Sequence, residues 1–245
     1  MCSSDLKEKH FYGGHGIVGA QVPIGAGLAF ADKYLENNRV TFTYFGDGAA
    51  NQGQVYETFN MAAIWDLPVI FVIENNQYAM GTAQKRSTSS PDLYVRGEAF
   101  GIPGEAVDGM DVLAVKAAGQ KAVAHCRSGK GPYILEVKTY RYRGHSMSDP
   151  AKYRTREEVQ KMRQERDPIE TVRSMLLTGK HASEEDLKAI SKVTMESEER
   201  LHKRVQEIER AYEEFEQAKR KLSSGNLRLV VSDRKSTRLN SSHQI

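Results

Sequence analysis

Two polar clusters, each directly after an apolar segment, constrain the fold of this 245-residue chain more than any other feature of its sequence. Gly46–Gly53 follows a β-branched and aromatic run, and Glu74–Tyr78 follows the next apolar run. Asp47 and Asn76 lie 29 positions apart, which suits one strand–helix–strand crossover. We therefore expect both clusters at the carboxyl ends of neighbouring parallel strands, where such sheets bind their ligands.

The first part of the chain alternates glycine-rich turns, short apolar runs and amphipathic stretches, as in an α/β domain. The apolar runs are nearly continuous, which is typical of strands covered on both faces, and they predict strands at 40–45, 69–73 and 133–137. Apolar residues at helical spacing predict helices over 55–64 and 112–125. The predicted fold is a mostly parallel sheet with helices on both faces and a helical C-terminal extension.

Composition divides the chain into four predicted parts. After Asp149-Pro150 the residues are mostly charged and helix-forming, and Asp167-Pro168 and Ser183-Glu184-Glu185 have the residue types of helix starts. Spaced apolar residues over 191–221 predict an amphipathic helix that packs on the domain or on a partner, or is simply solvated. The parts are a non-native segment at 1–6, an α/β domain at 7–150, a helical extension at 151–221 and a disordered, non-native tail at 222–245.

Charge and cysteine content exclude several classes of protein. The 35 basic and 32 acidic side chains are mixed along the chain, without the basic and aromatic block of a nucleic-acid surface, so we expect no nucleic-acid partner. We expect no membrane association, because no apolar run approaches the roughly 20 residues that span a bilayer. The two cysteines, Cys2 and Cys126, form no disulfide or metal pattern, and we expect a cytoplasmic protein.

The two polar clusters contain ligands for a hard cation. The carboxylate of Asp47, the amide oxygen of Asn76 and a nearby backbone carbonyl suit Mg²⁺ that holds a diphosphate. Gly46 and Gly48 flank Asp47 and let the backbone approach phosphate oxygens, and a helix that begins near Gly53 points its positive end there. Either cluster alone would be interpreted as an ordinary turn, but the pair, one crossover apart, favours the binding site.

Small residues crowd the segment 13–27, where glycine and alanine alternate with apolar side chains. Close backbone approach there fits either tight packing between helices or subunits, or contact with a cofactor, and the sequence leaves both open. His145 follows the third predicted strand together with Arg141 and Arg143. Although a lone histidine is usually a loop residue, this context makes His145 a candidate proton donor or phosphate contact.

The pair Gly46-Asp47-Gly48 and Asn75-Asn76 is similar to the thiamine diphosphate fingerprint. The wider sequence resembles the alpha subunits of thiamine-diphosphate-dependent 2-oxo acid dehydrogenases over about 7–190, and most of all those that act on pyruvate. Branched-chain 2-oxo acid and acetoin enzymes of the same family are the alternatives. The stretches that carry the resemblance are 11–21, 48–54, 107–111 and 140–150.

The resemblance implies a set of site residues, with thiamine diphosphate and Mg²⁺ as cofactors. Asp47, Asn76 and the carbonyl of Tyr78 would hold Mg²⁺, Gly48 and Ala49 would contact the diphosphate, Gly16 and Val18 would contact the aminopyrimidine, and His145 would lie beside the diphosphate as a catalytic residue. The position of Ser146 is a phosphorylation site in mitochondrial relatives.

The resemblance also implies an activity and partners. The expected reaction is oxidative decarboxylation of pyruvate with acyl transfer to lipoamide, in an α2β2 heterotetramer with a beta subunit and with a lipoyl-bearing acyltransferase core. Family members carry further pocket residues upstream, a histidine and a Tyr-Arg pair, and the activating glutamate comes from the beta subunit. We therefore expect this chain to be a fragment that is inactive alone, and a noncatalytic assembly module is the alternative.

Overall fold

A computed structural model describes residues 10–146 and 148–187 of the chain. The chain forms two compact units, Met1–Met175 and Leu176–Ile245, and each is described by itself. The predicted amphipathic helix at 191–221, the predicted tail at 222–245 and the segment at 1–6 lie outside the described residues. The predicted domain boundaries therefore stay predictions.

Six helices and six strands make up the described part of the chain. The helices are α1 (Gln21–Tyr34), α2 (Gly53–Ile64), α3 (Gln84–Ser87), α4 (Val112–Arg127), α5 (Arg156–Arg166) and α6 (Pro168–Thr178). The strands are β1 (Thr41–Gly46), β2 (Val69–Asn75), β3 (Tyr78–Ala79), β4 (Thr82–Ala83), β5 (Gly104–Asp108) and β6 (Tyr133–Lys138). Short 3₁₀ turns occupy Ala49–Asn51 and Tyr94–Phe100. None of the described helices is long and apolar enough to cross a membrane.

Four parallel strands form the main sheet in the order β1-β2-β6-β5. Gly46 of β1 pairs with Glu74 of β2, and Asn75 of β2 pairs with Lys138 of β6. The segments that follow the four strands therefore meet along one side of the sheet, which we call the carboxyl edge. The α/β fold with a parallel sheet that was predicted from the sequence is confirmed.

β2 separates the core into two layers, because alternate side chains of a strand point to opposite faces. Phe71 and Ile73 pack in the layer that contains α1 and α2, where the ring of Phe59 lies 4.7 Å from that of Phe71 between centroids. Ile70 and Val72 pack in the layer that contains α4. The predicted helices at 55–64 and 112–125 are thus confirmed as the covers of the sheet.

Cys126 lies at the end of α4, buried against β2. Its Sγ donates to the backbone oxygen of Val69 at 3.8 Å, and burial raises the pKa of the thiol to about 12. The thiol is therefore a structural group of the core rather than a reactive one.

One expectation about the strands was wrong, and one strand was missed. β1 was expected to be covered on both faces, but Phe42 and Tyr44 are 40% and 54% exposed. α4 packs on β2, β5 and β6, and no helix among the described residues covers these two rings in the same way. β5 was not predicted, because its residues Gly-Glu-Ala-Val-Asp lack an apolar run. β5 needs few apolar residues, because it lies at the outer side of the sheet beside β6.

Helix starts at Asp167-Pro168 and Ser183 are confirmed by their caps. In the first unit, Asp167 Oδ1 accepts a hydrogen bond from the backbone N–H of Ile169 at 2.9 Å, at the start of α6. In the second unit, a helical turn begins at residue 184. Ser183 Oγ accepts from the N–H of Asp186 at 3.2 Å and the Asp186 carboxylate accepts from the N–H of Ser183 at 2.9 Å. This reciprocal pair is a capping box, with Asp in the place of the more usual Glu.

Candidate active site at the carboxyl edge

The carboxyl edge brings the two predicted clusters into direct contact. β1 and β2 are neighbours in register, so Asp47 and Asn76 emerge side by side. The loop after β2 crosses the turn after β1 so closely that a Cβ on Gly48 would overlap the Cβ of Ala79. Glycine at 48 is therefore required by the approach of Ala79, which directly follows the second cluster. A hydrogen bond from the backbone of Asn76 to the Asp47 carboxylate confirms the predicted meeting of the clusters.

Asp47 is a buried carboxylate, only 3% exposed. Desolvation raises its pKa above the ordinary value, while hydrogen bonds from the backbone of Asp47 and Asn76 and the charge of Arg141 act in the opposite direction. Burial makes the negative charge costly in the protein alone, and a bound cation would relieve that cost. The burial of its carboxylate therefore makes Asp47 a candidate ligand for a cation.

The loop from Asn75 to Tyr78 is held by two side-chain to backbone hydrogen bonds. Asn75 Oδ1 accepts from the N–H of Gln77 at 2.9 Å, and Asn76 Oδ1 accepts from the N–H of Tyr78 at 3.2 Å. Gln77 adopts a left-handed conformation with φ of 67°, which these bonds stabilise. An amide oxygen has two lone pairs, so Asn76 Oδ1 retains capacity for a cation.

Glu136 is a site residue that the sequence interpretation missed. It is 0% exposed in β6, and its Oε1 accepts from Asn75 Nδ2 at 2.7 Å. Its Oε2 accepts from the backbone N–H groups of Leu93 and Tyr94 at 2.7 and 3.1 Å. A single acid inside an otherwise apolar strand was the available signal, since a carboxylate is rarely buried without hydrogen-bond partners.

Arg154 is a second residue that was missed, and nothing in its local sequence marks it. Its guanidinium lies 4.6 Å from the ring centre of Tyr78 and 4.2 Å from that of Tyr140. It donates to the backbone oxygens of Asn76, at 3.0 Å, and of Arg141. Arg154 thereby joins the loop after β2 to the segment after β6.

The turn after Asp47 is fastened from outside by Arg96. Its guanidinium donates to the backbone oxygen of Ala50 at 2.7 Å and to Asn51 Oδ1 at 2.9 Å. Ala49 and Ala50 are buried. The turn that contains Gly48 and Ala49 is thus held in place by these hydrogen bonds.

The glycine-rich segment lies against the start of α2, which follows the Asp47 cluster. The backbone oxygen of Val18 accepts from Gln54 Nε2 at 3.0 Å. Gly25 serves helix packing, because a Cβ there would lie 2.6 Å from the Cβ of Thr43 in β1. Gly16, by contrast, has open space around its Cα. Packing explains Gly25, while contact of Gly16 and Val18 with an aminopyrimidine stays a prediction.

His145 is exposed and lies in the segment that follows β6 at the carboxyl edge. Its backbone N–H donates to Asp149 Oδ2 at 2.7 Å, and Asp149 also accepts from the N–H of Ala151 and the hydroxyl of Tyr153, each at 2.9 Å. These bonds lower the pKa of Asp149. The loop is therefore folded around Asp149, and its contact with a cofactor stays a prediction.

Arg141 connects the His145 loop with the buried site. It donates to the backbone oxygen of Met80 at 3.2 Å, and its charge acts on both Asp47 and Asp149. Ser146 Oγ lies 3.0 Å from Ser148 Oγ at the exposed side of this loop.

The donor set fits Mg²⁺ only together with an anionic ligand. In residues 10–146 and 148–187, no three His, Cys, Asp or Glu side chains come together as a metal group. Asp47 supplies one buried charge and Asn76 a neutral oxygen, so a divalent cation there needs further anionic oxygens. A diphosphate supplies them, and the turn at Gly48 and Ala49 provides backbone where it would lie.

Comparison with known proteins shows the family of this α/β chain. The chain belongs to the family described as dehydrogenase E1 component, whose model matches residues 2–219.

The chain is similar to several proteins called pyruvate dehydrogenase E1 component subunit alpha. The protein of Rhizobium meliloti (strain 1021) is 67% identical over 186 residues, which cover 76% of this chain and 53% of that protein. The mitochondrial protein of Dictyostelium discoideum is 57% identical over 199 residues, 81% of this chain and 52% of that protein. A mitochondrial, testis-specific form from Rattus norvegicus is 55% identical over 189 residues, 77% of this chain and 48% of that protein. The chain spans about half the length of these relatives.

Proposed function

We propose that the chain provides the metal-binding half of a thiamine-diphosphate site in a pyruvate dehydrogenase of the E1 type. The observation that carries the proposal is the contact between the buried Asp47 turn and the Asn76 loop at the carboxyl edge. The likeness to pyruvate dehydrogenase E1 alpha subunits supports pyruvate as the substrate. The reaction is oxidative decarboxylation with transfer of the acyl group to lipoamide.

The residues of this chain bind and orient the cofactor. Asp47, Asn76 and the carbonyl of Tyr78 hold Mg²⁺, and the backbone of Gly48 and Ala49 contacts the diphosphate. Thiamine diphosphate, when bound, supplies the electron sink for loss of CO₂ from a 2-oxo acid. The fixed turns lower the ordering cost of binding, because Arg96 and Arg154 already hold them in place.

His145 acts at the open side of the same edge. Its exposed imidazole donates a proton or a hydrogen bond to the phosphate or the substrate, and Asp149 fixes the backbone from which it projects. Gly16 and Val18 contact the aminopyrimidine from the loop before α1.

The proposed assembly is an α2β2 heterotetramer with a beta subunit, which serves a lipoyl-bearing acyltransferase core. The beta subunit supplies the glutamate that activates the aminopyrimidine, and upstream residues of the longer relatives complete the pocket. The domain limits 1–6, 7–150, 151–221 and 222–245 and a cytoplasmic location remain predictions of the sequence.

Calorimetric titration of the chain with thiamine diphosphate tests the binding proposal. We expect binding with Mg²⁺ and its loss when EDTA removes the cation. Asp108→Ala is a matched control, since Asp108 also ends a strand at the carboxyl edge but pairs with Arg166. Equal affinity with and without the cation would contradict the proposed site.

Release of ¹⁴CO₂ from labelled 2-oxo acids tests the activity. The chain alone should release none above background, because the activating group and the rest of the pocket are not among its proposed residues. The protein extended to the length of its relatives and assembled with a beta subunit should prefer pyruvate. Preference for a branched-chain 2-oxo acid would reassign the substrate, and efficient release by the chain alone would refute the division of labour.

A further inference from the structure

Glu136 forms the centre of a buried hydrogen-bond network behind the loop after β2. Its two oxygens accept three hydrogen bonds, from Asn75 Nδ2 and from the backbone N–H groups of Leu93 and Tyr94. The side chain is 0% exposed, so water does not replace a lost partner cheaply. All three partners donate, which suits an ionised carboxylate at this position.

Asn75 passes the constraint from Glu136 to the loop. Its Nδ2 donates to Glu136 Oε1 at 2.7 Å while its Oδ1 accepts from the N–H of Gln77 at 2.9 Å. Gln77 is the left-handed residue between Asn76 and Tyr78. The orientation of one amide, fixed by Glu136, therefore determines whether the turn at Gln77 has its hydrogen bond.

We propose that Glu136 is a positioning residue that acts through Asn75 to hold Asn76 and Tyr78 in the geometry that binds the divalent cation. The inference rests on the proposed function, because it concerns the metal of the same site. Mutation of a group that orients metal ligands in this way commonly weakens metal affinity 10- to 100-fold.

The polarity of the network provides a sharp test. In Glu136→Gln one acceptor becomes a donor. If that donor faces Asn75, the Asn75 amide must turn over to accept, and the N–H of Gln77 then loses its acceptor. Asn75→Asp alone places two carboxylates in contact. The double variant Glu136→Gln with Asn75→Asp restores every bond, since the carboxylate introduced at position 75 accepts from the amide introduced at position 136 and from the N–H of Gln77.

The experiment measures the Mg²⁺ dissociation constant of the full chain by calorimetry in the presence of thiamine diphosphate. Glu136→Gln and Asn75→Ala should each weaken Mg²⁺ about 10- to 100-fold. Glu136→Gln with Asn75→Asp should return the constant to near the wild-type value. Glu105→Gln is the matched control, because Glu105 is a hydrogen-bonded acid on the neighbouring strand β5, bonded to Tyr133 and Lys121.

Amide hydrogen exchange of the protein without ligand gives a second measurement. Exchange at Gln77 should rise in Glu136→Gln and Asn75→Ala and should fall back in the double variant. Asn75→Ala keeps the two backbone bonds of Glu136, so an unchanged Mg²⁺ constant in this variant refutes the route through Asn75 even if Glu136→Gln does not fold.

The outcomes separate the two proposals. If the wild-type chain binds neither Mg²⁺ nor thiamine diphosphate, the proposed function fails and this inference fails with it. If the wild type binds both, while Asn75→Ala keeps the wild-type Mg²⁺ constant, only the positioning role of Glu136 is refuted. A double variant that is no better than its single parents would refute the hydrogen-bond route in the same way.

Discussion

Two regions of the carboxyl edge, the Asp47–Asn76 site and the His145 loop, are built in different ways. The first consists of tight turns over buried strands, with Asp47 only 3% exposed. The second is exposed and is folded around a surface carboxylate, Asp149. The first region, the proposed anchor for a ligand, is thus buried and held by hydrogen bonds, while the second leaves the side chain of His145 exposed. Binding and chemistry should therefore respond separately to mutation.

The largest effect is expected at the anchor. Asp47→Ala should abolish Mg²⁺-dependent binding of thiamine diphosphate. The binding free energy should weaken by about 3 kcal/mol or more, because a charged metal ligand contributes more than an ordinary hydrogen bond, which contributes about 1 kcal/mol. Circular dichroism should show an intact fold. Binding as tight as in the wild type, measured by calorimetry, would remove Asp47 from the metal site.

Gly48→Ala should have the next largest effect. The new Cβ overlaps that of Ala79, and relief of the clash should cost about 1–3 kcal/mol, divided between stability and binding. Thermal denaturation and calorimetry measure the two parts. Ala79→Gly in the same chain should recover most of the loss, while Gly53→Ala, which has open space at its Cα, is the neutral control. Equal behaviour of Gly48→Ala and Gly53→Ala would disprove the close contact.

A smaller effect is expected from charge on the His145 loop. Ser146→Glu places a negative charge near the anionic diphosphate, so cofactor affinity should fall by at most about fivefold, and less at high salt. Capture of the new carboxylate by Arg141 or Arg143 would reduce the loss. Ser128→Glu is the control, since Ser128 follows α4 and precedes β6 at the opposite side of the sheet. Unchanged turnover and affinity in the assembled enzyme would argue against placing this loop at the active site.

The smallest effect on binding is expected from Asp149→Ala. The substitution leaves the N–H groups of His145 and Ala151 without their acceptor, so their hydrogen exchange should rise while the Mg²⁺ constant stays within about twofold of the wild type. A large loss of Mg²⁺ affinity would show that the loop and the anchor are one unit.

Acid should open the same loop in the wild type. The pKa of Asp149 lies below its ordinary value of 3.8 because three donors stabilise the ionised form. Its contribution to loop order is therefore complete above about pH 3.8 and is lost as the pH falls through the lower value of the folded state. The protection of the His145 N–H, which is its exchange rate relative to the intrinsic rate at each pH, should fall between pH 5 and pH 2.5. Asp149→Ala should show no such fall.

The sequence predicted the meeting of Asp47 and Asn76 because its signals are local. Strand ends and a crossover of standard length suffice to bring Asp47 beside Asn76, and both strands were visible as apolar runs. The supporting residues were not predictable in the same way. Glu136 and Arg154 act through contacts 61 and 78 positions away in the chain. An acid inside an apolar strand marks Glu136 as unusual but does not identify its partners, and nothing local marks Arg154.

The errors have a similar cause. The sequence of β1 does not reveal whether a helix covers its second face. The exposure of that face depends on where α4 lies, and α4 packs on β2, β5 and β6. β5 is recognisable only from its pairing with β6. Local composition therefore identified the strands that contain apolar runs. The exposure of β1 and the existence of β5 depend instead on their positions at the two edges of the sheet.

The buried thiol of Cys126 provides a kinetic probe of how far ligand binding spreads through the sheet. Thiol reagents attack the thiolate, so with a pKa of about 12 this group reacts at neutral pH mainly when α4 separates from β2. Its partner, Val69, begins the strand that ends in the Asn75 loop. In a Cys2→Ser background, the labelling rate with and without Mg²⁺ and thiamine diphosphate would therefore report whether the occupied edge slows opening at the opposite end of the same strand.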